Sequence, residues 1–256
     1  RTTLPDEMVF IGYHQINELI FKMILWEIKQ IADTSSLNVV FFQDKLMRIS
    51  RYFDMLTTSF NIMREGMDIV QYNQFRHTLT PASGFQSAQY RKIEFASTEL
   101  INLIDVRFRA KIDRDTPFEH AFEHLYWQAA GKDYKTGQKT TLLINFENRY
   151  KEEFITFMKT YNTKNIWTRF KDLSIDSQKD KSLIDAMRHY DYTVNISWVM
   201  AHYNAAKHYI LGKEGDGEAT GGSNWQKYMH PKYQKRIFFP ELWSQDEKDN
   251  WGHGVE

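Results

Sequence analysis

Cysteine is absent from the 256 residues, which excludes disulfides, thiolate zinc sites, iron–sulfur clusters and a cysteine nucleophile together. Any metal must therefore sit on His, carboxylate or Met. No apolar run approaches the roughly 20 residues that a membrane span needs, and the opening RTTLPDEMVF lacks the basic-then-apolar layout of a signal peptide. The expectation is a cytoplasmic protein with no membrane partner. An excess of one charge is also missing: 33 Lys and Arg balance 33 Asp and Glu, so there is no electrostatic footprint for nucleic acid. Proline occurs five times and glycine twelve, leaving long stretches free of helix breakers. Several catalytic signatures are absent too. No Glu stands three positions before any of the nine histidines, as a di-iron carboxylate bundle would want. There is no His-Glu-x-x-His and no Gly-x-Ser-x-Gly, so zinc-peptidase and serine-hydrolase readings have no footing.

What is abundant is apolar and aromatic. Hydrophobic residues make up 42% and aromatics 15%, with 18 Phe, 14 Tyr and 7 Trp, a composition that suits flat neighbours such as a planar cofactor or an aromatic substrate, and equally a large core. Apolar residues recur at helical spacing. Phe42, Leu46, Ile49, Phe53, Leu56, Phe60 and Met63 form one seam that Gly66 ends. Thr3 with Asp6 is expected to cap an earlier helix on which Phe10, His14 and Glu18 share a face. Further helices are predicted over 86–104, from Pro117 to before Gly131, over 140–161 and over 182–211, with a weak pattern over 163–181. No strand alternation and no internal repeat is convincing. The fold class is all-α: one mainly helical domain over 1–256, with a Gly-rich flap at 212–223 and a helical tail at 224–256.

Four places could carry chemistry. His202 follows Trp198 by one turn among Ala201, Ala205 and Ala206, so a broad plate could approach its imidazole; a core histidine among small packing residues fits the segment equally well. Arg76 stands ahead of Pro81-Ala-Ser83-Gly84, a loop opening onto a helix, which suits a carboxylate clamp and equally an ordinary helical turn with a surface arginine. The glycine-rich run 212–223 follows a helix and lacks the Gly-Lys-Ser/Thr ending of a phosphate loop, so it reads as a flap with Thr220 supplying a hydroxyl, or as a solvated linker. His120 and His124, with Glu119 and Glu123, have a zinc-compatible spacing that surface pairs share.

Taken in order along the chain, these residues resemble one family. Asp6-Glu-Met-Val-Phe10, His14-Gln15 and Glu18-Leu-Ile-Phe-Lys22 come first, followed by Phe75-Arg76, Pro81-Ala-Ser-Gly-Phe-Gln-Ser87 and Gln89-Tyr-Arg91. Trp198 with His202 and Thr220-Gly-Gly-Ser223 complete a set that resembles the signatures of the tryptophan 2,3-dioxygenase family over residues 6–223. The resemblance implies a helix bundle enclosing a haem b pocket, usually as a homotetramer. It implies an oxidoreductase of tryptophan catabolism that inserts O2 across the indole C2–C3 bond of L-tryptophan to give N-formylkynurenine, the first step of the kynurenine route, with ferrous iron needed for activity. His202 is then the proximal iron ligand, and His14 the distal catalytic histidine that hydrogen-bonds the indole N–H. Phe10 and Tyr72 line the substrate pocket, Arg76 clamps the carboxylate, Ser83 lies near the haem edge, and Thr220 meets the substrate ammonium and carboxylate.

Two departures stand out. The interval from His202 to Thr220 is lengthened by Gly215-Asp-Gly217-Glu, and Asn224-Trp225 replaces the family's usual Ser-Gly after Thr-Gly-Gly-Ser. The rival readings are a family member that oxidises another indole, with one oxygen atom inserted instead of two, a haem sensor or carrier without turnover, and a purely structural bundle. Arg76 argues against a substrate lacking a carboxylate, Arg76 and His14 together argue against a carrier, which requires neither, and the four ordered blocks of polar residues argue against a scaffold.

Overall fold

A computed structural model describes residues 2–76, 85–132, 136–210 and 229–255. Among them there is no sheet, only the isolated bridges Ile104–Leu125 and Lys132–Lys139. The fold is all-α, as expected.

Helix α1 (Pro5–Asp33) begins with Pro5 in its first turn, followed by Asp6 and Glu7. The proline suits a position whose N–H would have no helical partner, and the two acids face the positive end of the helix dipole. The expected Thr3 cap is not made: Leu4 is the N-cap and offers no side-chain bond. The Thr2 hydroxyl instead donates to Glu7 at 2.6 Å. Asn38 caps α2 (Val39–Glu65) by accepting from the Phe41 N–H at 3.0 Å. The whole predicted seam, Phe42 to Met63, is buried. α2 stops at Gly66, where a Cβ would lie 2.5 Å from the Ile62 carbonyl oxygen, so a larger residue would have to displace the turn. α1 and α2 pack along their length, and α10 crosses the second half of α2.

Further on come α3 (Ile69–Phe75), α4 (Ala88–Ser97), α5 (Phe118–Phe122) and α6 (Thr141–Tyr161). The helix expected over 86–104 is shorter: α4 ends at Ser97 and a 3-10 turn follows at Leu100–Leu103. Thr98, between them, turns its hydroxyl onto the Phe238 carbonyl and leaves the helical path. The helix expected from Pro117 splits into α5 and a 3-10 turn at Tyr126–Gly131. Thr140 caps α6 as its spacing predicts, accepting from the Leu143 N–H at 3.3 Å. The weak region resolves into α7 (Ile166–Lys171) and α8 (Ile175–Gln178).

The long element expected over 182–211 has an interruption. α9 (Lys181–Tyr192) and α10 (Trp198–Ile210) are joined by a widened π-helical stretch at Thr193–Ser197. A buried polar knot accompanies it. Asp191 accepts from the N–H groups of Phe238 and Phe239 at 2.9 and 3.0 Å, from Trp243 Nε1 at 3.0 Å and from Asn195 at 2.6 Å. Burial pushes the Asp191 carboxyl upward, against these four donors. The Arg236 guanidinium reaches Asn195, Glu94 and Tyr126, and donates to the Tyr90 hydroxyl at 2.7 Å. Of the tail expected to be helical, residues 229–255 are described; Met229, α11 (Pro231–Gln234), a 3-10 turn at Pro240–Leu242 and α12 (Gln245–Asp249) are helical there. Its backbone N–H groups at Phe238 and Phe239 are spent on Asp191, which leaves that stretch extended.

One large core holds most of the buried apolar residues. A smaller cluster lies where the first turns of α1, the end of α2, α3 and α10 meet: Tyr13, Phe60, Met63, Met67, Phe75, Ala205 and Tyr209. No described helix is long and apolar enough to cross a membrane.

Candidate active site

The smaller cluster is where most of the sequence-predicted residues come together. Phe10 is the hub. Its ring lies 4.2 Å from that of His14, 6.2 Å from Tyr72 and 5.8 Å from Phe75. Tyr72 packs in turn on Tyr209 at 4.3 Å, and the Tyr209 hydroxyl ties α10 to the end of α2 through the Met63 carbonyl. Arg76, the C-terminal cap of α3, is buried beside Phe75. A cavity of about 650 Å³ opens beside Phe10 and His14, with Glu18, Lys22 and Gln89 on its wall; its size falls in the range of small-molecule sites.

The hydrogen bond of His14 decides its chemistry. Its Nδ1 lies 2.7 Å from the Phe10 carbonyl oxygen. A carbonyl can only accept, so Nδ1 carries the proton and Nε2 is left with a lone pair. His14 is exposed among the described residues, yet partial loss of hydration beside Phe10 and Tyr13 lowers its pKa, opposed by the Phe10 carbonyl and by the charge of Glu18. A neutral imidazole offering Nε2 as an acceptor is what an incoming N–H requires.

His202, on α10, does not line that cavity and packs on Phe60 instead. Burial, aided by repulsion from His14, pushes its pKa down to about 4, so it too is neutral at physiological pH. Its ring stacks on Phe60 at 5.3 Å and 14°, and Trp198 lies 6.0 Å away. Neither ring nitrogen of His202 is hydrogen-bonded among the described residues. Trp198 sits in an aromatic cage, 4.7 Å from Tyr90 and 5.9 Å from Phe21. Its Nε1 is buried with no hydrogen-bond partner among the described residues. An unengaged neutral imidazole and an unsatisfied indole N–H, on a helix face made shallow by Ala201, Ala205 and Ala206, fit a flat metal-bearing group.

Phe60 and Tyr209 were missed as site residues by sequence reasoning, because each sits on a regular apolar stripe and looks like core. Glu18, Ser87 and Gln89 form a further cluster. Glu18 accepts from the Ser87 hydroxyl at 2.6 Å and from the Gln89 amide at 2.7 Å, holding α1 against the start of α4. Ser83 and Thr220, with the 212–223 segment, lie outside the described residues. At the second histidine pair, the His120 and His124 rings are 4.9 Å apart, but His124 Nδ1 faces the His120 carbonyl at 2.9 Å. Glu119 pairs with Lys159, and Glu123 with Lys139 and Lys151. No group of three or more potential metal ligands exists among the described residues.

The family sequence model described as Tryptophan 2,3-dioxygenase matches residues 1–211, from the first helix through α10. The chain belongs to the tryptophan 2,3-dioxygenase family. Relatives named Tryptophan 2,3-dioxygenase are spread across bacteria and animals. The protein of that name from Bacillus thuringiensis (strain Al Hakam) is 30% identical over 260 residues, covering 93% of this chain and 83% of its own length. That from Ruegeria sp. (strain TM1040) is 25% identical over 256 residues, covering 95% and 85%. That from Rattus norvegicus is 32% identical over 147 residues, covering 55% and 34%. The family is one of oxidoreductases.

Proposed function

We propose that this chain is a haem-dependent dioxygenase that inserts both atoms of O2 across the indole C2–C3 bond of L-tryptophan, giving N-formylkynurenine. The observation that carries the reading is the presence of two neutral histidines, His14 with Nε2 and His202 with both nitrogens unbonded among the described residues, in a chain matched to the family over residues 1–211. His202 would hold ferrous haem b, which supplies oxygen binding and activation when bound. His14 Nε2 accepts the indole N–H and so fixes the ring. Phe10, Tyr72 and Phe75 give the ring an apolar wall and keep water from it. Arg76 pairs with the substrate carboxylate through its guanidinium fork. Ser83 at the haem edge and Thr220 at the substrate ammonium and carboxylate complete the set by resemblance to the family.

Orientation and water exclusion are what the residues must provide, since the cofactor carries the oxygen chemistry. A carboxylate-free indole would forgo the charge-assisted pairing that a guanidinium fork gives a carboxylate, which disfavours the alternative substrate. We also propose that the protein works in the cytoplasm as a homotetramer. Self-association is supported by an exposed seam on α1, where Ile16, Leu19, Met23 and Trp26 recur at heptad-like spacing with Leu19 65% and Trp26 62% exposed. The decisive experiment reconstitutes the protein with ferrous haem and follows N-formylkynurenine formation from L-tryptophan and O2, with His202→Ala beside it. Product in the wild type, with haem binding and product both lost in the variant, is the expected result. Haem bound without ring opening, or no haem bound by the wild type, would overturn the reading.

A further inference from the structure

Away from the histidine site, the 100–109 segment, the 235–240 segment and α12 meet around a cleft of about 190 Å³ lined by Asn102, Arg109, Lys235, Ile237, Pro240, Lys248 and Asp249. Three cations and one acid line it. Most side-chain cations that join elements elsewhere in the protein do so through a carboxylate, as in Arg114 with Glu99, Lys164 with Asp33 and Arg188 with Glu247. None of the three cleft cations is within ion-pair distance of a carboxylate among the described residues. Two of them, Arg109 and Lys235, bond to backbone carbonyls. Arg109 donates to the Ile104 carbonyl at 3.0 Å and the Lys235 carbonyl at 3.3 Å, and Lys235 donates to the Asp249 carbonyl at 3.3 Å. These bonds fix Arg109 and Lys235 without neutralising them. Two acids act on the cleft: Asp105 attracts Arg109 from beyond ion-pair distance but is held by the Arg107 fork at 2.9 and 2.8 Å, and one oxygen of Asp249 is engaged by Gln245 at 2.8 Å.

The backbone supports the same reading. Lys235 has φ +43°, and among the described residues it alone is a non-glycine in the left-handed region. It closes α11 through its N–H to the Pro231 carbonyl at 2.8 Å. That left-handed cap, common at helix ends, fixes where the Lys235 side chain leaves the backbone beside the cleft. Ile237 and Pro240 give the cleft an apolar wall, and the two bonds between its segments hold it in shape before any ligand arrives. Preorganisation of this kind lowers the cost of binding.

We infer that this cleft is a second binding site, separate from the two histidines, that takes a small multiply charged oxyanion, a phosphate group, held by Arg109, Lys235 and Lys248. The phosphate is either the free ion or the end of a phosphate ester, and the two are separable by experiment.

The test is calorimetric titration of the purified chain with inorganic phosphate and, separately, with adenosine monophosphate, at constant ionic strength maintained with sodium chloride. One saturable site is expected. Lys248→Gln and Arg109→Gln should each weaken it about tenfold or more, as expected for loss of a charged hydrogen-bond donor, while Lys248→Arg should retain it. Tighter binding of the nucleotide than of phosphate assigns the site to an ester; the reverse assigns it to the free ion. The inference is overturned if neither ligand saturates, or if both Gln variants bind as the wild type does. Circular dichroism of each variant distinguishes a lost site from a lost fold. Because neither substitution touches the histidine site, the outcome is independent of the proposed dioxygenase activity.

Discussion

At the scale of single residues, the tautomer of His14 has a pH consequence. Its folded pKa lies below the ordinary 6.5 because of lost hydration, so the neutral acceptor form persists to below that pH. The kcat/KM for L-tryptophan should therefore be flat above pH 6.5 with its acid limb below it, and His14→Gln should lose that limb; a limb above pH 6.5 would contradict the assignment. Arg76 gives a second expectation. Arg76→Leu should raise KM for L-tryptophan roughly 10- to 100-fold, the range for removing a charged hydrogen bond, and leave binding of carboxylate-free indole nearly unchanged. Equal losses for both ligands would mean that Arg76 supports the fold and does not read the carboxylate. Much at this scale was legible in the sequence. Phe10, His14 and Tyr72, taken from the family resemblance, share one aromatic cluster, with Arg76 at the end of the helix that carries Tyr72 and His202 stacked on Phe60. Phe60 was not legible, because a phenylalanine that stacks on a site imidazole and one that fills a core occupy the same helical register.

At the scale of elements, the polar knot between α4, the π-helical stretch and the 236–239 segment is the feature that hydrophobic periodicity could not announce. Glu94 is fully buried and shares its carboxylate between Arg91 and Arg236. Removing one member of a buried charge cluster strands the others, at a cost of about 3–5 kcal/mol. Glu94→Ala should lower the unfolding free energy by that amount in denaturant melts. A loss under about 1 kcal/mol, the range of exposed ion pairs, would show that water reaches the knot. The same knot explains where helix boundaries went astray. Apolar spacing reports which face of a segment is buried and says nothing of side chains that capture backbone groups from elsewhere. Thr98 breaks the 86–104 element in this way, and Asp191 takes the N–H groups of the extended tail. Where no such capture occurs, as in α2 and α6, the expected ends agree with the structure to within a few residues.

At the scale of the whole molecule, the α1 seam predicts assembly. Ile16, Leu19, Met23 and Trp26 leave an apolar ridge on the face opposite the core, and a like ridge on a second copy would cover it in the manner of a two-helix seam. Trp26→Glu should shift the sedimentation profile of the proposed tetramer toward smaller species without loss of helical signal; an unchanged profile would remove the ridge from the interface. Long-range organisation of this kind was partly visible in the sequence. The all-α class followed from the scarcity of proline and glycine and from the seven-residue seam of α2. The surplus apolar residues of α1 did not declare which of them faced outward, since a helix with apolar residues on most sides has no single buried stripe to read.

The widened stretch at Thr193–Ser197 constrains this enzyme in a further way. Each residue of an α-helix advances the bearing of everything after it by about 100°, and a π turn accommodates one surplus residue without breaking the rod. A deletion of one residue there would leave an unbroken and more regular helix, yet swing Trp198 and His202 about a quarter-turn away from Phe60 and His14. Substitutions in that stretch are tolerable where packing allows, but its length is fixed, because the aim of the imidazole is set by counting residues as much as by choosing them.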